Sequence, residues 1–287
     1  MGTPRTRNAE AMNRIARSLL RVAMIVTPLF AMAVALRADP PEDGKSRADE
    51  LLALARREAG SHVMRHGSDG RPLTLRPEPV LRWTNPLVGE NYGAVFVWTS
   101  KGRPDVVWCL HRAYSPTTGP HEAVEYLSLA MERIIAERIG REIWYTTHPG
   151  IEMKPIPDSP VPGETAAQRL RQMRELAKEF TSRQTRRDGV EQENRLLTQP
   201  IYRYEGMESP LIDGALFAFV QGTDPELFLL IEAHQVDGNP QWQYGLARMT
   251  SLEQRVSRRG TAVWTAPLVS YAEVADPRGS YLSFLMR

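Results

Sequence analysis

A single cysteine, Cys109, stands among 287 residues, so no internal disulfide staples the fold. A chain of this length buries enough apolar surface without one. Cys109 lies in the apolar stretch "VVWCLH", where it reads as a small core hydrophobe and not as a reactive nucleophile. The phosphate-cradling loops G-x-x-x-x-G-K-[ST] and G-x-G-x-x-G are missing, as are the serine elbow G-x-S-x-G and the zinc helix H-E-x-x-H. No nucleotide, acyl-transfer or two-histidine zinc chemistry is therefore written locally. Also missing is an apolar run of the roughly 20 residues that a bilayer requires. The candidate, Val22–Leu36, has fifteen residues and contains Pro28.

What stands around that run is informative. Arg5, Arg7, Arg14, Arg17 and Arg21 precede it, and Ala33, Ala35 and Ala38 mark its far end. This is the layout of a secretory signal peptide over residues 1–38. The expectation is an exported protein, periplasmic or extracellular, with residues 39–287 as its mature part. It would touch a membrane only through an uncleaved signal segment. Residues 1–38 hold six of the 36 basic residues and one of the 34 acidic ones, leaving 30 against 33 and a net charge of −3. The pI near 8.7 thus reflects the export segment, and no nucleic acid or other polyanion partner is implied.

The chain repeats itself. "GAVFVWTSKGRPDVVWCLH" at 93–111 and "GALFAFVQGTDPELFLLIE" at 214–232 align without gaps at an offset of 121 residues. Gly93 meets Gly214, Phe96 meets Phe217, Trp98 meets Phe219, Pro104 meets Pro225 and Asp105 meets Glu226. Further on, Tyr126, Met131, Gly140 and Trp144 are answered in order by Tyr244, Met249, Gly260 and Trp264. Each copy has two β-branched and aromatic runs around a Gly-containing loop, which is a hairpin pattern. Both runs are apolar at successive positions, so both faces of the sheet are expected to be covered.

Two segments qualify as cover. "SRADELLALARREAG" offers Ser46 as a cap and Leu51, Leu52, Leu54 and Ala55 as an apolar side. "GETAAQRLRQMRELAKEF" places Leu170, Met173, Leu176, Ala177 and Phe180 on one stripe. The prediction is a single α+β domain over 39–287, with antiparallel sheet built from two similar four-stranded meander blocks and covered by two amphipathic helices. The halves fall at about 80–157 and 199–287, with a helical insertion at about 164–182. Residues 181–194, "TSRQTRRDGVEQEN", read as a loop. Residues 127–140 read equally as a strand with a turn or as a short helix.

The segments "LRWTNP", "QRLRQMRELAKEF", "DGALFAFVQGTDPE" and "WQYGLARM" resemble an uncharacterised family of predicted exported bacterial proteins, over about residues 78–266. The resemblance implies export and a shared fold. It implies no activity, cofactor or site residue.

Chemistry is thinly written. "GPHEAVE" sets His121 beside Glu122, and His111 and His148 fall at other strand ends. If His111, His121, Glu122 and His148 met at one end of a meander, they would offer a zinc site or a general base. The plainer reading is three separate strand-end histidines. Asp105 and Glu226 suggest a carboxylate pair of the glycosidase type, or two ordinary turn acids. Trp83, Trp98, Trp108, Trp144, Trp242 and Trp264 suggest a sugar-stacking face, or simply a core. No metal site and no cofactor are predicted. The expected function is a non-catalytic binding or structural module of the cell envelope, its partner a protein or small-molecule ligand. An extracytoplasmic hydrolase using His111, His121, Glu122 and His148 is the alternative.

Overall fold

The computed structural model describes residues 44–286, apart from 88, 116, 118 and 207–209. The export segment expected over 1–38 lies outside the described residues. Among the described residues, no helix is long and apolar enough to cross a membrane.

Helix α1 (Gly44–Gly60) opens the described chain and strand β1 (His62–His66) follows it. The helix starts before Ser46, so that serine lies within it and is not its cap. Short strands β2 (Thr74–Leu75) and β3 (Leu81–Trp83) lead into a meander of β4 (Glu90–Ser100), β5 (Arg103–Ser115) and β6 (Gly119–Ser128). Next come the hairpin β7 (Ile134–Arg138) and β8 (Arg141–Tyr145), then the two-residue β9 (Lys154–Pro155). Helix α2 (Ala166–Lys178) starts the second half and feeds β10 (Phe180–Thr185), β11 (Glu191–Leu196) and β12 (Tyr202–Glu205). A second meander, β13 (Leu211–Gln221), β14 (Asp224–Val236) and β15 (Asn239–Arg248), is followed by β16 (Glu253–Arg258) and β17 (Thr261–Ala266). The short α3 (Tyr271–Val274) and β18 (Tyr281–Leu285) finish the chain.

Antiparallel β-structure dominates, and only 13% is helical. The strands form a six-stranded sheet in the order β18-β6-β5-β4-β2 with β3 also on β4. A nine-stranded sheet runs β17-β16-β10-β11-β13-β14-β15-β9 with β12 also on β13, and a third has the order β1-β7-β8. The consecutive meanders are therefore three strands long, not four. In each half the next two strands turn away to pair with the strand that follows the helix, β7 on β1 and β16 on β10.

The core follows strand alternation. One face of β4 and β5 sends Val95, Val97, Val107 and Cys109 into a cluster shared with Leu216, Ala218, Phe228 and Leu230 from β13 and β14. The six- and nine-stranded sheets thus pack face to face. Opposite faces pack elsewhere: Phe96, Trp98 and Trp108 with Leu51, Leu52 and Ala55 of α1, and Phe217, Phe219 and Leu229 with Met173, Leu176 and Ala177 of α2. Five of the six tryptophans are buried, and only Trp264 is partly exposed, which leaves no aromatic sugar platform.

One segment settles an open alternative and another folds differently from expectation. Residues 127–140 take the strand-and-turn form: β6 ends at Ser128, β7 spans Ile134–Arg138 with Ile134 and Ala136 buried, and Ile139 and Gly140 make the turn. Residues 181–194, read as a loop, form the β10–β11 hairpin. Their inward positions are polar, which hid the strand period. Asn194 Nδ2 donates to Ser182 Oγ (3.0 Å) and Gln254 Oε1 (3.1 Å), and Gln254 Nε2 donates to Gln184 Oε1 (3.1 Å). Four buried polar side chains satisfy one another there, as burial of such groups requires.

Candidate functional site

The two long hairpins carry polar residues into the space between the packed sheets. The β4–β5 turn uses Lys101 (φ 48°) and Gly102 (φ 88°), two left-handed residues whose twist suits a two-residue hairpin. It presents Arg103 and Asp105, both buried. The β13–β14 turn presents Asp224 and Glu226.

The first polar node joins the sheets. Arg103 Nε donates to Glu232 Oε1 (2.9 Å) on β14, and its Nη1 donates to Asp105 Oδ1 (2.8 Å) and to the Leu129 carbonyl (2.9 Å). Tyr204 Oη donates to Glu232 Oε1 (2.5 Å), while His234 Nε2 lies 2.7 Å from Glu232 Oε2. His66 of β1 places its ring nitrogens 3.2 Å from Asp105 Oδ2 and 2.7 Å from Glu132 Oε1, though off the line of a hydrogen bond. Burial would raise the Glu232 carboxyl, but Arg103 and the bonds from His234 and Tyr204 overcome it and hold Glu232 below the usual carboxylate range. Burial likewise works against the Arg103 cation, and the charge of Glu232 outweighs it. Burial, and then the Glu232 charge, lifts the Tyr204 phenol well up. Arg103 thus bonds both buried carboxylates of this node, Glu232 and Asp105.

The second node lies at the β13–β14 turn end. Cys109 and His111 share one face of β5, two residues apart, and Glu125 pairs directly opposite Cys109 on β6. Sγ of Cys109, a ring nitrogen of His111 and a carboxylate oxygen of Glu125 lie within 4.8 Å of one another. His111 Nδ1 is 3.6 Å from Glu125 Oε2 and, although buried, has no hydrogen-bond partner among the described residues. Trp83 Nε1 donates to Cys109 Sγ (3.4 Å), and Tyr281 Oη donates to Glu125 Oε1 (2.5 Å).

Electrostatically this second node is acidic. Burial raises the Asp224 carboxyl well above its usual range, and the charges of Glu226 and Glu125 add to it. Burial and Glu125 push Glu226 up to about 7 against hydrogen bonds from Thr250 and Gln184. The Cys109 thiol is pushed up by burial and then by Glu125, and Tyr281 likewise. An open cleft of about 240 Å³ shares Trp83 with this node and is lined also by Leu51, Thr84, Gly93 and Thr223.

Of the set His111, His121, Glu122 and His148, His111 alone enters this node through described contacts. Glu122 pairs with Arg112, the next residue along β5, so alternation sends it to the sheet's other face, where Arg112 Nη2 holds it at 2.5 Å. His121 stands on the exposed start of β6 opposite Ala113. His148 is on an exposed loop with Nδ1 3.1 Å from the Pro149 carbonyl. The set of four does not assemble: alternation turns Glu122 to the other face, His121 shares the His111 face but sits further along the strands opposite Ala113, and His148 lies on a loop beyond β8. Asp105 and Glu226 fall in different nodes: Asp105 is bonded to Arg103, and Glu226 to Thr250 and Gln184. Sequence reading gave no role to Glu125, Tyr281, His66 or His234. The C-x-H spacing on a strand was the visible clue to Cys109 and His111, but Glu125 needs the β5–β6 register. The chain matches no family model, no curated protein and no solved structure.

Proposed function

We propose that the chain is an exported, non-catalytic binding module of the cell envelope, built from two facing copies of one helix-and-strand unit, and similar to the uncharacterised exported family named above. The pairing pattern supports the duplication. β1–β7, β7–β8, β3–β4, β4–β5 and β5–β6 are answered by β10–β16, β16–β17, β12–β13, β13–β14 and β14–β15. Trp83 pairs with Gly93 and Tyr204 with Gly214. The hairpin register slips between Trp98 and Thr99 in one copy and between Phe219 and Val220 in the other, the same offset of 121 residues. On this reading α2 opens the second copy and is not an insertion, and α1 and α2 cover equivalent outer faces. The tails are exchanged: β9 edges β15, and β18 edges β6.

The observation that carries a binding role is the divergence of the two nodes. Arg103 and Asp105 of one hairpin occupy the places of Asp224 and Glu226 in the other. One node is closed by its own arginine. Its counterpart gathers Glu125, Asp224 and Glu226 beside a half-buried histidine. A duplication kept for stability alone has no need of that cluster of carboxyl groups, whose burial is costly.

Expression in a bacterial host with a C-terminal epitope, followed by fractionation and mass spectrometry, tests export. The expected product is extracytoplasmic and begins near residue 39. Full-length protein retained in the cytosol refutes export, and turnover of ester, peptide or glycoside reporters by the purified protein refutes the non-catalytic assignment.

A further inference from the structure

We propose that Cys109, His111 and Glu125 bind a divalent transition-metal cation of zinc-like character. This deepens the reading of the acidic node as the ligand-contacting one. It does not depend on export.

The placement is made by rigid sheet. Alternation aligns Cys109 and His111 on β5, and the register sets Glu125 across from Cys109. A tetrahedral ion with bonds of about 2.0–2.3 Å separates its ligands by roughly 3.3–3.8 Å. The 3.6 Å between His111 Nδ1 and Glu125 Oε2 falls in that interval, and Cys109 Sγ closes the triangle within 4.8 Å. The ligating nitrogen is the one without a hydrogen-bond partner among the described residues.

The surroundings have the form of outer partners that orient metal ligands. Trp83 donates to the sulfur, and Tyr281 occupies Glu125 Oε1, leaving Oε2 toward His111. The His111 side chain, 26% exposed, connects the site to solvent. Thiolate, imidazole and carboxylate together select zinc-like ions over magnesium or calcium. Three protein ligands leave a fourth position for water or another donor.

The trio is also not required by the fold. In the second meander the pair matching Cys109 and Glu125 is Leu230 and Gly245, and Glu232, in the place of His111, is committed to Arg103. The same strands are built there without a single ligand left over.

The test uses the purified protein, stripped with chelator and titrated with zinc(II) and with cobalt(II), following bound metal per chain and thiolate-to-cobalt absorption. One ion per chain with a thiolate band is expected. Both should disappear in Cys109→Ser and in His111→Ala, the latter at a partly exposed position. Tyr281→Phe should keep the stoichiometry and weaken affinity by about 10–100-fold. Failure to bind one ion per chain overturns the proposal. So does metal binding that survives both ligand substitutions, or magnesium competing on equal terms. Any of those results leaves the exported binding module standing, whereas cytosolic retention or reporter turnover leaves the metal result untouched.

Discussion

Replacing Arg103 with methionine should be among the most damaging single changes in this protein. The side chain is 10% exposed and its partner Glu232 is fully buried. The substitution keeps the length and apolar stem but strands the Glu232 carboxylate between two packed sheets and takes a bond from buried Asp105 as well. Breaking a buried pair by removing one partner costs about 3–5 kcal/mol, against a total stability of order 5–15 kcal/mol. His234 and Tyr204 remain on Glu232, which places the expected loss toward the lower figure. In a domain of this size that corresponds to roughly 6–12 °C of Tm. The pH dependence separates a charge effect from a packing effect. Burial opposes ionisation of Glu232, and in the native protein Arg103 and its neighbours overcome this and lower its pKa. Its stabilising contribution is therefore present above the ordinary carboxylate pKa and is lost as pH falls through the lowered folded value. Without Arg103, burial prevails and Glu232 takes up a proton readily, so the gap between native and variant should narrow on acidification. Urea unfolding at pH 7 and pH 4 measures both quantities, and Arg103→Met/Glu232→Met should recover part of the loss, the remainder being the bonds from Arg103 to Asp105 and the Leu129 carbonyl. A deficit below about 1 kcal/mol at pH 7, or one that does not change with pH, would refute this reasoning.

Glu226, pushed up to about 7 from 4.5, behaves oppositely: its contribution is full below pH 4.5 and is lost as pH rises through about 7. Glu226→Gln should therefore stabilise the protein at pH 8, by no more than about 3 kcal/mol at ~1.4 kcal/mol per decade, and leave it unchanged at pH 4; equal effects at both pH values would contradict the assignment. A Cβ at Gly93 would sit 2.0 Å from the Trp83 ring, and one at Gly214 would sit 2.4 Å from Tyr204. Gly93→Ala should cost about 1–3 kcal/mol and shift the tryptophan emission, and an unaltered spectrum would count against this contact. Thr165 accepts from Gln168 N in a capping box on α2, so Thr165→Ala should lose about 1 kcal/mol by thermal unfolding. Truncation after residue 280 removes β18 and bares the β6 edge, and concentration-dependent self-association by light scattering is the expected result.

Period and composition made much of the fold readable. The doubly apolar runs at 93–111 and 214–232 announced strands buried on both faces, and both helices were legible from their stripes, α2 with Met173, Leu176 and Ala177 inward. The β10–β11 hairpin was illegible because its inward residues, Ser182, Gln184 and Asn194, are polar and satisfied only by each other and Gln254. A pattern of apolar alternation cannot report a strand whose buried side is made of hydrogen bonds. The exchanged edges β9 and β18 were equally hidden, since a two-residue pairing leaves no periodic trace.

The sequence by itself determined that the protein is written largely in antiparallel strands, that those strands are covered on both sides, and that no familiar catalytic motif is present, because each of these depends on residue type and spacing along the chain. Only the tertiary structure decided which polar groups meet. Glu232 lies 129 residues from Arg103 and Tyr281 lies 156 from Glu125; their contacts exist because two sheets pack face to face and a C-terminal strand returns to the first of them, a matter of register and layering that local spacing does not encode.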